Sequence, residues 1–125
     1  MLLGSLYQIL TSQQEDSSIY ARIELNPEHP IFKGHFPDIP ILPGVCQLQM
    51  MEEVLSTVLG KKMKVDHAAQ MKFLSFVNPL VHPQFDIHLK IEKADDGLLL
   101  VQSNYIWDQT VFFKFKGKFN EYGGA

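Results

Sequence analysis

The sequence predicts an α+β domain in which an antiparallel sheet packs over one long helix, and three observations carry that expectation. Apolar and polar residues alternate with period two in several separate stretches, the pattern of half-buried strands. One stretch, starting at Gly44, carries helical periodicity instead. Between the first strands and that helix lies a proline-dense segment that is neither. The resulting order is strand, strand, loop, helix and then four strands, which keeps the helix to one side of a sheet.

Residues 18–25 set Ile19, Ala21, Ile23 and Leu25 against Tyr20, Arg22 and Glu24, and residues 6–11 supply a pairing strand. Residues 26–44 contain Pro27, Pro30, Pro37, Pro40 and Pro43, which remove backbone donors and push their predecessors out of the helical region, so a loop is expected. A loop this long inside a compact domain is more often functional than a short one. From Gly44, the residues Val45, Leu48, Met51, Leu55, Val58 and Leu59 form one stripe, and Gly60 ends a helix of about four turns. Strands follow at residues 67–77 and 84–92, where Phe85, Ile87, Leu89 and Ile91 alternate with polar neighbours. Asp95-Asp96-Gly97 and Asp108-Gln109 then turn the chain through strands at 98–107 and 110–119, a meander.

With 125 residues the chain is read as a single domain, 1–125. Cys46, the lone cysteine, has no partner for an internal disulfide, which fits a reducing compartment. The apolar start MLLGSLYQIL lacks a basic flank and a cleavage site, and no apolar run reaches the roughly 20 residues that span a bilayer, so a soluble, cytoplasmic protein is expected. A net charge of −3 with dispersed lysines argues against nucleic acid as a partner, and nothing suggests a membrane. One local exception is Lys114, Lys116 and Lys118, which alternate with Phe113, Phe115 and Phe119 and so share the solvent side of a strand. They read as a solubilising face or guarded edge strand, or as a landing patch for an acidic carrier protein.

The run Gly34-His35-Phe36-Pro37-Asp38-Ile39-Pro40-Ile41-Leu42-Pro43-Gly44-Val45 closely resembles the active-site signature of the FabZ-type 3-hydroxyacyl-acyl-carrier-protein dehydratases. Met71-Lys72-Phe73 through Pro79 is similar to the same family's K-F-x-x-x-V-x-P strand. The resemblance implies a hotdog fold, a curved antiparallel sheet wrapped around a central helix. It implies a dimer, or higher oligomer, whose sheets join edge to edge. The substrate would be a 3-hydroxyacyl thioester on acyl carrier protein, dehydrated to the trans-2-enoyl thioester for fatty-acid or related acyl-chain synthesis, without a cofactor. The acyl chain would lie in a tunnel at the dimer interface, where the histidine of one subunit faces the helix acid of the other. Phe36 and Phe73 would border that tunnel, with Pro43, Val45 and Leu48 as further substrate contacts.

Such a dehydration removes a C2 proton, stabilises charge on the thioester oxygen and protonates the departing C3 hydroxyl. His35 suits the first task, because an imidazole is a neutral base near physiological pH. The amide of Gly44 suits the second, since a helix amino terminus favours negative charge. The third is where this chain departs from the family, which carries an acid fourteen residues after the histidine and a glutamine four residues further on. Here those positions are Gln49 and Glu53, and glutamine has no proton to deliver.

Three accounts stay open. Glu53 or Glu52 supplies the proton, although both also suit a solvated helix face; His35 works alone; or the chain is a non-catalytic subunit that binds acyl carrier protein or completes a heterodimer with an active paralogue supplying the acid. An acyl thioesterase of the same fold ranks below these, because the signature is of the dehydratase type. Cys46, Met50 and Met51 read as core or tunnel lining. His29, His67, His82 and His88 form no expected metal site.

Overall fold

The computed structural model describes residues 1–34 and 38–122. Six strands, β1 (Tyr7–Glu15), β2 (Ser18–Leu25), β3 (Met63–Phe73), β4 (Gln84–Lys93), β5 (Leu99–Trp107) and β6 (Thr110–Glu121), form one antiparallel sheet in the order β1-β2-β4-β5-β6-β3. The sheet is curved around a single long helix, α2 (Gly44–Leu59), and a one-turn helix, α1 (Ile31–Gly34), interrupts the proline-dense segment. This is the hotdog architecture. No helix among the described residues is long and apolar enough to cross a membrane.

The alternation read in β2 and β4 is borne out: Ile19, Ala21, Ile23 and Leu25, with Phe85, Ile87 and Leu89, are buried beneath the helix. Their polar neighbours form the outer face. The helix spans the expected residues, and Gly60 ends it at φ 71° with its amide on the Ser56 carbonyl, a left-handed position suited to glycine. Its buried face, however, differs from the stripe expected. Cys46, Gln47, Met50, Met51, Glu53, Val54 and Leu55 face inward, whereas Val45 is 75% exposed. A helix enclosed by a curved sheet is covered over more than half its circumference, so one narrow stripe undercounts its buried positions.

Three boundaries also move. β1 runs to Glu15 rather than Thr11, and β3 begins at Met63 and ends at Phe73 rather than running from His67 to Val77. The residues added to β1 are exposed and polar, so pairing with β2 rather than alternation makes them strand, whereas those added to β3 do alternate, Met63 being buried and Val65 half-buried while Lys64 and Asp66 are exposed. β6 is no edge strand, because β3 covers its far side; the sheet edges are β1 and β3. The inward set on β6 includes both Phe112 and Phe113, since a register shift opposite Tyr105 and Ile106 turns two consecutive side chains into the core.

Within the sheet β3 pairs with β6 alone and bulges twice there, between Val65 and His67 and between Ala68 and Gln70. Gly117 of β6 lies beneath these bulges, and a Cβ on it would stand 2.3 Å from the His67 carbonyl oxygen, which is backbone. Gly117→Ala is therefore expected to destabilise the fold by about 1–3 kcal/mol, the cost of overpacking. It should also raise hydrogen exchange selectively in β3 amides, which a denaturation curve with site-resolved exchange would measure.

Candidate active site

The helix start is built by packing. Pro43 precedes the first turn in an extended conformation and offers no capping side chain, and the amides of Gly44 and Val45 have no hydrogen-bond partner among the described residues. Phe73, the last residue of β3, stacks on Phe113 with ring centres 4.6 Å apart, and its ring lies against Gly44. A Cβ at Gly44 would meet that ring at 2.8 Å, so glycine lets an aromatic wall approach the backbone. Ile41, Leu42, Pro43, Gly44, Gln47, Phe73, Leu74, Ser75 and Phe76 enclose an open, mostly apolar cleft of about 630 Å³.

Of the residues singled out from sequence, Gly44, Pro43 and Phe73 line this cleft, while Val45 and Leu48 do not. Leu48 is half-buried against the core. His35 and Phe36 lie outside the described residues. Gln47 was missed, although it is a polar residue on the buried helix face. It is 3% exposed; its Nε2 donates to the Leu42 carbonyl at 3.2 Å, but its buried Oε1 has no donor among the described residues, an arrangement that costs about 1–3 kcal/mol when left unpaired. Behind it, the buried hydroxyl of Tyr105, on β5, donates to the Gln47 main-chain carbonyl and pins the first helical turns to the sheet. Burial pushes this phenol well above its ordinary pKa, keeping it a donor.

Gln49 and Glu53 open instead onto a second cleft of about 440 Å³, which they share with Met1, Glu52, Ser56, Lys62, Met63, Lys64 and Tyr122. The two clefts have no residue in common. Glu53 is buried, not on a solvated face, and four donors surround its carboxylate. The amides of Leu2 and Leu3 and the Tyr7 hydroxyl each approach to 2.8 Å, and Gln49 Nε2 to 2.9 Å. Burial alone would push this carboxyl up; the hydrogen bonds more than offset it and hold the pKa below the ordinary value of 4.5. Tyr7 is shifted the other way, first by burial and then by donating to Glu53, so it remains a phenol. Glu52 accepts the Val65 amide at 3.0 Å, beside the first β3 bulge.

The helix thus presents a charged carboxylate and a neutral amide hydrogen-bonded to it. The Cys46 thiol is buried and pushed up by desolvation, which opposes a thiolate nucleophile. Among the described residues, His29, His82 and His88 sit in distinct settings. His29 Nδ1 accepts the Ile31 amide, His82 packs on Phe112, and His88 packs on Tyr20.

Because the folded pKa of Glu53 is depressed, its contribution to stability is complete above the ordinary glutamate range and is lost as the pH falls through the lower folded value. Glu53→Gln should remove that acid-side dependence and lower stability at pH 7 by about 2–4 kcal/mol, since hydrogen bonds to a charged group are worth about 1.5–3 kcal/mol each and add incompletely. Urea titrations between pH 3 and pH 7 on both proteins would measure the difference.

The comparisons with known proteins agree with this architecture. Residues 11–106 match the family model ApeI-like, described as ApeI dehydratase. Among curated proteins, the 3-hydroxyacyl-[acyl-carrier-protein] dehydratase FabZ of Chlamydia caviae is 34% identical over 59 residues, covering 47% of this chain and 38% of that protein. FabZ of Caulobacter vibrioides is 30% identical over 94 residues, 70% of this chain and 51% of that protein. The chain therefore spans about a third to a half of these curated relatives. Among solved structures, the dehydratase heterocomplex ApeI:P from Xenorhabdus doucetiae superposes with a TM-score of 0.64 at 25% identity, covering 89% of this chain and 95% of that one. An uncharacterised protein from Erwinia carotovora subsp. atroseptica shares the fold, with a TM-score of 0.66 at 22% identity over 89% and 90% of the two chains. With its fold, its helix-start cleft and a family match over residues 11–106, this chain belongs to the ApeI-like dehydratase family.

Proposed function

We propose that this protein is one subunit of a heterodimeric 3-hydroxyacyl thioester dehydratase, contributing His35 and the Gly44 helix start while a paralogous subunit contributes the acid. The observation that carries this reading is the state of the helix carboxylate. A general acid must hold a proton at working pH, and Glu53, with four donors around it and a depressed pKa, holds none. Glu52, the other candidate donor, is engaged by the Val65 amide.

Two further features support a site shared between chains. The Gly44 cleft and the Gln49 cleft are separate within one chain, so a reaction needing both positions draws them from two subunits. The β3 edge and the residues after it expose Met71, Phe73, Leu74 and Phe76, an apolar margin suited to a second sheet. The structural relative from Xenorhabdus doucetiae is itself a dehydratase heterocomplex.

The test is formation of enoyl product from a 3-hydroxyacyl carrier-protein substrate, followed by mass spectrometry. The chain alone should turn over at least about 10²-fold more slowly than its complex with an acid-bearing FabZ-like paralogue, the usual cost of a missing acid. His35→Ala in the complex should reduce turnover. Gln49→Glu should raise activity of the chain alone, because a carboxyl placed beside the Glu53 carboxylate is favoured in its protonated form. Full turnover by the unmodified chain alone would sink the heterodimer reading and leave His35 acting without an acid. Release of free thiol with the 3-hydroxyl retained would point to a thioesterase.

The outer sheet face supports a landing place for the carrier protein. Register places Tyr20, His88, Asn104, Lys114 and Lys72 in one row across the sheet, and Ser18, Lys90, Gln102, Lys116 and Gln70 in the next. On β1 the first row continues to Gln13 and the second to Glu15, so a single acid stands at the far edge of the field. Lys118 is neutralised by Asp96 at 2.7 Å, so Lys72 and Lys90 join Lys114 and Lys116 in its place. An acidic carrier protein is the partner this field fits. Reversing Lys90, Lys114 and Lys116 to Glu should weaken carrier binding about tenfold or more at low salt, with less effect at high salt, while leaving the melting temperature nearly unchanged. Calorimetric titration at two ionic strengths would measure both.

A further inference from the structure

We infer that Gln47 is the residue that recognises the 3-hydroxyl of the bound acyl chain, and so selects hydroxylated over saturated substrates. The inference rests on the reading above that the Gly44 cleft holds an acyl thioester. Gln47 lies three residues after Gly44, one turn along the same helix face, and both line that cleft. Its Nε2 is committed to the Leu42 carbonyl, which fixes the orientation of the amide and leaves Oε1 as a buried acceptor without a donor among the described residues. Native interiors rarely tolerate such an atom unless a ligand or water completes it.

The other side chains around the cleft narrow the choice of donor. Apart from the exposed Ser75, the remaining lining side chains, Ile41, Leu42, Pro43, Phe73, Leu74 and Phe76, are apolar, which suits a hydrocarbon chain rather than a polar arm. With the thioester oxygen at the helix-start amides, the first hydrogen-bond donor along the acyl chain is the hydroxyl two carbons away. A site built to accept a hydroxyl discriminates against an analogue lacking it, because the buried acceptor is then left unpaired.

The experiment measures binding of two non-reacting amide analogues, 3-hydroxyoctanoyl-pantetheine amide and octanoyl-pantetheine amide, by calorimetry. Each is titrated into the wild-type chain, Gln47→Met and Gln47→Asn, with folding of each variant checked by thermal melting. The wild-type protein should prefer the hydroxylated analogue about tenfold, the worth of one buried hydrogen bond. The preference should fall to near unity in the variants, while octanoyl affinity changes little. Equal wild-type affinity for the two analogues would overturn the inference whether or not the variants fold. A preference that survives in folded variants would do the same, leaving the cleft as the acyl site. If neither analogue binds, the acyl-site reading and this inference fall together.

Discussion

A carboxylate withdrawn from water has to be surrounded by donors or give up its charge, and Glu53 is surrounded. Its four hydrogen bonds reach the start of the chain through Leu2 and Leu3, β1 through Tyr7, and the preceding turn of its own helix through Gln49. The first strand is thereby fastened to the central helix at a point where the two make few other contacts. Glu52 ties the same stretch of helix to β3 through Val65, and Tyr105 ties its beginning to β5. Ser56 accepts the Met63 amide at 2.9 Å as a further tie to β3, and these polar anchors together fix the rotation of a helix whose other contacts are mostly apolar and nearly non-directional.

This arrangement gives the exchange of residues between positions 49 and 53 a physical meaning. An amide and a carboxyl group one turn apart can hydrogen-bond in either order, so the exchange keeps a pair. It also moves the charge deeper, toward the amides of Leu2 and Leu3, where a carboxylate is stabilised and a neutral acid would waste acceptors. The carboxylate gained as an anchor is thus unavailable as a proton donor. Catalytic and structural uses of a carboxyl group call for opposite protonation states, and this environment favours only one of them.

Much of the fold was legible in the sequence. Alternation in β2 and β4, glycine at the helix end and the turn residues of the final meander each encode local geometry directly. β3 was harder, because an edge strand with scarcely any buried residue carries little alternation beyond its first residues and is defined by its partner in β6. Gln47 was illegible for a related reason. Its importance comes from a missing hydrogen bond, and no residue pattern reports an absence. The anchoring of Glu53 depends on residues some fifty positions away, which spacing along one helix cannot reveal.

The exposed margin of β3 bears on the protein's life before assembly. A long strand held on one side only, followed by Phe73, Leu74 and Phe76, presents both unpaired backbone and sticky side chains to any other unfolded or half-folded chain. Chaperones and proteases act on such surfaces. In the heterodimer proposed above, copies made in excess of the second subunit would be the ones cleared, so the abundance of this protein would follow that of the second subunit, with the strand edge acting as the gauge of stoichiometry.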